Sequence, residues 1–354
     1  MDGNYNKDYW QQESLVAKEV LINNDGQPTF GVFPGSVGEI NHMDYDLRNA
    51  MDKRLSKISK HFKYNQFQFI GFTSPDLIVG IAIVDLKFAS NCFVYAYQPE
   101  TKKFEEFSFI QPLALNTKMS PKPNDGSASF SKGANKVTIK ATQTPRLRSV
   151  NVELASGFKV DAVIDESANY DPLAVCARAG YTGWVFTQKA TALVCNGIVE
   201  WGNEKFDLEK IGSLASVDWS AGYMRRETAW NWGSLSCKLA DGRRLGFNLA
   251  AGVNETGFTE NGLWLEGKLY KVDMVDFQFN RYHAEHAWTL RSNDGIINLH
   301  FEPAGQRKEK MNLILAASNF TQHFGRFFGD ITLNGEVIHL DGVWGFTEDH
   351  YAKW

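Results

Sequence analysis

Polar and apolar residues alternate along much of the chain, which is the pattern of half-buried β-strands. The alternation is clearest at residues 66–69, 150–154 and 158–164. Turn dipeptides recur at short intervals in the second half, at Asp241-Gly242, Glu266-Gly267, Asp294-Gly295 and Asn334-Gly335. Such dipeptides join neighbouring antiparallel strands. Many short strands with few helices predict an all-β protein of sandwiches or closed barrels, and closure leaves no exposed sheet edge.

One segment has a helical pattern instead. Leu47, Met51, Leu55, Ile58 and Phe62 recur at the spacing of one helix face, and charged residues lie between them. The sequence therefore predicts one amphipathic helix near the N-terminus.

A longer pattern occurs twice. In the first copy the pattern consists of Gly197, Leu208, Gly212 and Asp218, and in the second of Gly329, Leu340, Gly342 and Glu348. The first two residues of each copy match with one offset, and the last two match with an offset two residues smaller. The repeat predicts a duplicated β-unit with an acidic residue at the same place in each copy. Acids at equivalent strand ends predict a shared site between the halves.

Length agrees with two domains, because 354 residues exceed the size at which one core stops growing. We predict an N-terminal extension over 1–39, a first barrel over 40–224 and a second over 225–354.

Charge and composition restrict the function classes. The net charge of -4 offers no basic surface for nucleic acid or an anionic membrane. The longest apolar run, 77–84, is too short for a transmembrane helix. No secretory signal is evident, and the four cysteines are widely spaced, so we expect a reducing cytoplasm. The expected partner is a small molecule, and the pattern predicts no oligomeric state.

The densest candidate chemistry follows the first copy of the repeat. Asp218 and Trp219 precede Tyr223, Arg226 and the triplet Trp230, Asn231, Trp232. Indoles, an acid, guanidiniums and an amide are costly to bury unless each polar group has a partner. The segment is therefore either the wall of a binding site or a barrel rim in which Arg226 pairs with an acid and the tryptophans close the core.

The C-terminus carries the second candidate set. Alternate residues of a strand share a face, so Glu348 and His350 would lie on one side and Asp349 and Tyr351 on the other. A carboxylate beside an imidazole can transfer protons when burial raises the pKa of the acid. The alternative is a solvated tail.

Weaker candidates complete the set. Asn248, Glu260 and Asn261 suit hydrogen bonds to a polar ligand and suit turns equally well. His323 is a candidate because it lies close to the second repeat. His283 and His286 have metal-like spacing but lack a third spaced ligand, so we expect no metal and no other cofactor. The motifs of serine hydrolases, Rossmann folds, P-loops and zincins are missing from the sequence.

Residues 212–261 and the ending at 345–354 resemble a bacterial family defined as a domain of unknown function. More remotely, the segment at Asp218, the tryptophans at 230 and 232 and the hairpin at Asp241-Gly242 look like the tandem-lipocalin proteins. That group includes carotenoid hydratases, fungal pericyclase-type cyclases and a fungal sphingolipid carrier. The resemblance implies two tandem lipocalin-like antiparallel β-barrels.

The resemblance carries over to few site residues. Glu348 matches a glutamate near the C-terminal end of those relatives. A histidine commonly follows the acid at the end of their first barrel, where this chain has Trp219, and an acid often stands at the position of Asn231. Both departures remove groups that would serve a hydratase directly.

We therefore predict a pocket between the barrels, lined by Trp219, Tyr223, Trp230 and Trp232, for a largely apolar or unsaturated molecule. As a hydratase, lyase, isomerase or cyclase, the protein would use Asp218 or Glu348 as acid or base. Arg226 and Asn231 would stabilise developing negative charge. A lipid or hydrophobic-ligand carrier needs the same pocket without a tuned acid, and a carbohydrate-active enzyme would use the same carboxylates.

Overall fold

The computed structural model describes residues 18–167, 170–253, 257–312 and 316–353. The predicted N-terminal extension therefore lies outside the described residues up to position 17. Within the described part of the chain, no helix has the length and apolar character needed to span a membrane.

The first sheet is antiparallel and curled. Its strands follow the order β7-β6-β5-β4-β16-β14-β12-β11-β10-β9-β8, with β13 and β15 paired to β14 and with β2 paired to β13. A separate parallel pair is formed by β1 and β3. The bounds are β1 Lys18–Val20, β2 Gly31–Phe33, β3 Val37–Glu39, β4 Asn65–Thr73, β5 Ile78–Asp85, β6 Ala89–Gln98, β7 Lys103–Pro112, β8 Thr117–Met119, β9 Gly126–Lys132, β10 Asn135–Gln143, β11 Arg146–Glu153, β12 Lys159–Asp165, β13 Leu173–Ala179, β14 Gly183–Trp201, β15 Glu204–Asp207 and β16 Leu214–Tyr223.

The second sheet follows the order β20-β19-β18-β17-β25-β24-β23-β22-β21 and is also antiparallel. Each of the four turn dipeptides named above joins two successive strands of this sheet, which confirms them as hairpins. The bounds are β17 Glu227–Lys238, β18 Arg244–Ala251, β19 Gly262–Leu265, β20 Lys268–Lys271, β21 Val275–Gln278, β22 Trp288–Ser292, β23 Ile297–Asn312, β24 Ala317–Leu333 and β25 Glu336–Lys353.

The two sheets have the same layout. The last strand of each sheet pairs with an early strand, β16 with β4 and β25 with β17. The other partner of the last strand is an equivalent long strand, β14 or β24. Gly197 on β14 and Gly329 on β24 both have positive φ, at 130° and 113°. A Cβ at either position would lie 2.2 or 2.5 Å from a carbonyl oxygen of the adjacent strand. The repeated glycines therefore mark equivalent close contacts between strands.

The predicted helix is shorter than expected. Helix α1 spans Lys57–Lys63, and Ser56 accepts a hydrogen bond from the Ser59 amide as its N-cap. The upstream residues form a tight turn instead, because the Asn49 side chain accepts hydrogen bonds from the Met51 and Lys53 amides. These local bonds compete with helix formation. None of the residues of α1 is buried.

The two sheets pack face to face through aromatic side chains. Phe69 on β4 contacts Trp232 and Phe346 of the second sheet, with ring centroids 6.0 and 6.3 Å apart. Tyr95 on β6 packs against Phe324 at 5.1 Å. We call this contact region the junction. It lies apart from the two barrel interiors, each of which has its own apolar core.

Candidate functional site

The two acids of the repeat lie on the sheet faces that meet at the junction. Asp218 on β16 is the register partner of Phe69, which contacts the second sheet. Glu348 on β25 is the register partner of Trp232, which contacts Phe69 from the other side. Partners in an antiparallel pair share a face, so both carboxylates are directed to the junction.

Asp218 belongs to a buried cluster around a lysine. The Lys189 ammonium on β14 donates a hydrogen bond to Asp218, and it lies 3.5 Å from a carboxylate oxygen of Glu260. Ser220 also donates to Asp218, at 3.2 Å, and exchanges a hydrogen bond with Thr187 at 2.7 Å. All five side chains are buried. We call Lys189, Asp218 and Glu260 the lysine cluster.

The lysine cluster contains more negative than positive groups. Burial raises the pKa of Asp218 because it disfavours the charged carboxylate, although Lys189 opposes this shift. The charge of Glu260 adds to the increase. The two carboxylates outweigh burial at Lys189 and raise its pKa, so the ammonium stays protonated. Glu260 also interacts electrostatically with a second lysine, Lys271, so both carboxylates of the cluster lie near a cation.

Glu260 connects the cluster to a cavity of about 190 Å³ beside the second barrel. Two asparagines fix the wall that carries it. Asn248 accepts a hydrogen bond from the Trp232 indole at 2.8 Å and donates to the Glu260 carbonyl at 2.7 Å. Asn261 accepts from the Ala250 amide and donates to the Asp273 carbonyl, at 2.7 and 2.8 Å. Both predicted asparagines therefore hold the wall of the cavity in place.

Glu348 has a different environment. Its two oxygens accept hydrogen bonds from the Trp230 indole at 2.7 Å and from the Gln322 amide at 2.9 Å. The Tyr95 hydroxyl of the first sheet donates to Gln322, so this network crosses the junction. His350 shares the face of Glu348, as predicted, and its ring lies 4.1 Å from that of Trp230.

The predicted pocket lining is wrong for Trp219 and Tyr223. Trp219 lies on the opposite face of β16 from Asp218, and it packs with Phe186 and lines a small space beside Arg148. Tyr223 packs with Trp184 and donates a hydrogen bond to the His42 carbonyl. The reason is the alternation of the strand, since odd-numbered residues of β16 face away from the junction.

Other predicted residues also lie away from the junction. Asn231 donates to Asp349 on the opposite face of the second sheet, where Arg281 pairs with the same carboxylate. His323 is buried on that face against Trp288, and burial lowers its pKa to about 4. Tyr351 also follows the parity of Asp349, and Arg226 is exposed in the connection between the sheets. Neither Arg226 nor Asn231 is therefore placed to stabilise charge beside Asp218.

The sequence-based prediction missed Lys189, Gln322, Tyr95 and Arg307. Arg307 is buried between the rings of Phe93 and Phe320, at 4.0 and 4.7 Å, and pairs with Glu106 and Glu309. Lys189 lies in a run of buried residues of β14 that also contains Thr187 and Gln188, so the apolar pattern alone does not mark it. A lysine in such a run requires a buried acid as partner.

The described residues contain one group whose ligand atoms come close enough for a metal. His283, Glu285 and His286 place these atoms within 4.8 Å of one another, and all three side chains are exposed. The group lies in the connection between β21 and β22 and does not contact the lysine cluster.

Comparisons with known proteins support the fold. The chain matches the model of the family described as Domain of unknown function (DUF2804) over residues 12–354, and it belongs to that family. The crystal structure of CghA with Sch210972 matches with a TM-score of 0.53 and 9% identity, covering 95% of this chain and 97% of CghA. Kievitone hydratase from Nectria haematococca matches with a TM-score of 0.47 and 10% identity, covering 80% and 88%. No curated protein matches the chain. The likeness to CghA confirms the two tandem lipocalin-like barrels.

Proposed function

We propose that this member of the DUF2804 family is a small-molecule enzyme of the hydratase, lyase, isomerase or cyclase type, with its acid-base group in the lysine cluster. The observation that carries the proposal is the position of Glu260. It shares Lys189 with Asp218 and lines the cavity of about 190 Å³. Burial raises the pKa of Asp218, and a carboxyl group with a raised pKa can pass a proton to a bound molecule.

The roles within the cluster differ. Glu260 lines the cavity, so it would exchange the proton with the substrate. Asp218 is hydrogen-bonded to Lys189 and Ser220 and would store the charge of the deprotonated state. Lys189 stays cationic between them and keeps both carboxylates compatible with burial.

The apolar walls favour a largely apolar or unsaturated substrate. Ala250, Val253, Phe258, Met274 and Val275 line the cavity together with Glu260 and Asn261. A pocket of this kind binds through apolar contact and orients its ligand through a few polar groups. CghA, which has the same fold, has been crystallised with Sch210972; its chemistry is not transferred by the fold.

The test begins with native mass spectrometry of protein purified from its host, to identify a retained ligand. The E260Q and D218N variants should bind that ligand within a few-fold of wild type, while turnover falls by about 100-fold or more, the usual contribution of a general acid or base. The control is D276N, since Asp276 is exposed on β21.

A tightly bound ligand that wild type returns unchanged across a broad pH range would contradict the enzyme and favour a carrier. Full turnover in both E260Q and D218N would contradict the assignment to the lysine cluster.

A further inference from the structure

A serine lies next to the His350 and Glu348 pair, on a neighbouring strand. Ser318 on β24 is the register partner of Ala352, Phe320 that of His350 and Gln322 that of Glu348. Since side chains alternate along both strands, Ser318, His350 and Glu348 share the junction-facing face of the second sheet. They lie outside the lysine cluster.

The contacts run in one order from hydroxyl to carboxylate. The Ser318 hydroxyl lies 3.1 Å from His350 Nε2, and His350 Nδ1 lies 3.8 Å from Glu348 Oε1. Among the described residues His350 Nδ1 is buried without a hydrogen-bond partner, and the Glu348 carboxylate at 3.8 Å lies just beyond hydrogen-bond distance. A small shift of the ring on substrate binding would bring a proton on Nδ1 to Glu348, and in that tautomer Nε2 accepts the proton of Ser318.

Aromatic rings enclose the imidazole. The Trp230 ring lies 4.1 Å and the Phe320 ring 4.8 Å from it, and the Trp230 indole donates to Glu348 at 2.7 Å. Ser318 itself is half-buried rather than enclosed. A hydroxyl that is reachable, with its base oriented by a third group, is the arrangement of an activated nucleophile, and such contacts are often loose before a substrate binds.

We propose that Ser318 is a nucleophile for acyl transfer, with His350 as its general base and Glu348 as the positioning residue. The substrate class is an ester whose apolar or aromatic group packs on the half-buried Trp230. The Ser318 oxygen would bond to the carbonyl carbon while its proton passes to His350 Nε2. The ester C–O bond then breaks, and the leaving alcohol takes that proton. Water would release the acyl group by the same route in reverse, which restores the Ser318 hydroxyl.

The first test is labelling with an alkyl fluorophosphonate, read by intact mass and peptide mapping. Its phosphorus would bond to the Ser318 oxygen as fluoride leaves. Wild type should gain one adduct on Ser318, S318A should gain none there, and H350Q should react at least about 100-fold more slowly. The matched control is S129A, because Ser129 is a half-buried strand serine on β9. Labelling of S129A should equal that of wild type.

A second measurement covers the case in which H350Q folds poorly. The S318C thiol should react with iodoacetamide faster than the thiols of S318C/W230F and S318C/H350N. The S318C/H350N thiol should react most slowly, because it lacks the imidazole that activates the nucleophile. For Glu348, 15N NMR should show the Nδ1-protonated ring of His350 in wild type and a shift toward the other tautomer in E348A, which a purely structural role would not produce. No adduct at Ser318 in folded wild type, or equal rates with and without His350, would overturn the proposal. Neither outcome bears on the lysine cluster, whose residues are not altered.

Discussion

Replacing Lys189 by methionine would remove the only cation of the lysine cluster and leave two buried carboxylates. At 3.5 Å from Glu260, and with an effective dielectric constant of about 20, the attraction lost per contact is about 5 kcal/mol. Much of that attraction offsets the cost of burying the charges. We therefore expect K189M to lower the free energy of unfolding by about 3–5 kcal/mol at pH 7, the usual cost of breaking a buried ion pair.

The destabilisation caused by K189M should depend on pH. Without Lys189 the pKa of Asp218 in the folded state would rise further above the unfolded reference of about 4, because the largest group that opposes the effect of burial would be gone. The folded state would then bind more protons than the unfolded state above that reference. The K189M penalty should therefore be largest at pH 7 to 8 and shrink as the pH falls toward about 4.

Urea unfolding followed by circular dichroism measures this free energy at each pH. The control is K268M, because Lys268 is exposed on β20. The triple variant K189M/D218N/E260Q should recover most of the loss, since it removes the unpaired charges. A K189M protein within 1 kcal/mol of wild type at pH 7, or one equally destabilised at pH 5 and pH 8, would refute the electrostatic reasoning.

Three further predictions concern other parts of the fold. G197A should lower the free energy of unfolding by at least about 2 kcal/mol more than G202A. Both glycines have positive φ, but only a Cβ at position 197 would meet the backbone, at 2.2 Å from a carbonyl oxygen. Equal losses of the two variants in urea unfolding would contradict this. Lys271 donates three hydrogen bonds to Thr259 and the Asn261 carbonyl, and burial lowers its pKa to about 7. The free energy of unfolding of wild type should therefore rise relative to that of K271M by up to about 1.4 kcal/mol per pH unit between pH 7 and pH 10. Parallel curves of the two free energies against pH would exclude this. Burial lowers the pKa of His323 in the folded state to about 4. Wild type should therefore lose more stability than H323F as the pH falls from about 6.5 to 4. Equal decreases in the unfolding temperatures of the two proteins over this range would contradict this.

Much of the architecture could be predicted from the sequence because backbone requirements leave visible residues. Gly197 and Gly329 recur because the same long strand in each sheet needs a positive φ where a neighbouring carbonyl approaches. Turn dipeptides such as Asp241-Gly242 mark hairpins for a similar reason. Local chemistry misled the prediction at Leu47 to Leu55, where the Asn49 side chain stabilises a turn although the apolar spacing is helical.

The candidate site could be predicted only in part, because it combines distant strands. Asp218 and Glu348 were found through the repeat, and the face shared by Glu348 and His350 followed from alternation. The same rule, applied to β16, separates Trp219 from Asp218. Lys189 is 29 residues before Asp218, and Glu260 comes from the other barrel. Such contacts depend on how the sheets pack, which no local pattern specifies.

The proposed acid-base site requires a raised pKa of the Asp218 carboxyl group in the lysine cluster, and the direct test is 13C NMR of side-chain carboxyl groups, titrated between pH 4 and pH 8. Difference spectra against D218N and E260Q assign the two resonances. We expect the Asp218 resonance to titrate above the reference of about 4, because burial raises its pKa, and this titration should be absent in D218N. If the Asp218 carboxyl remains fully ionised down to pH 4, the cluster is a purely structural ion pair and the proposed acid-base site is wrong.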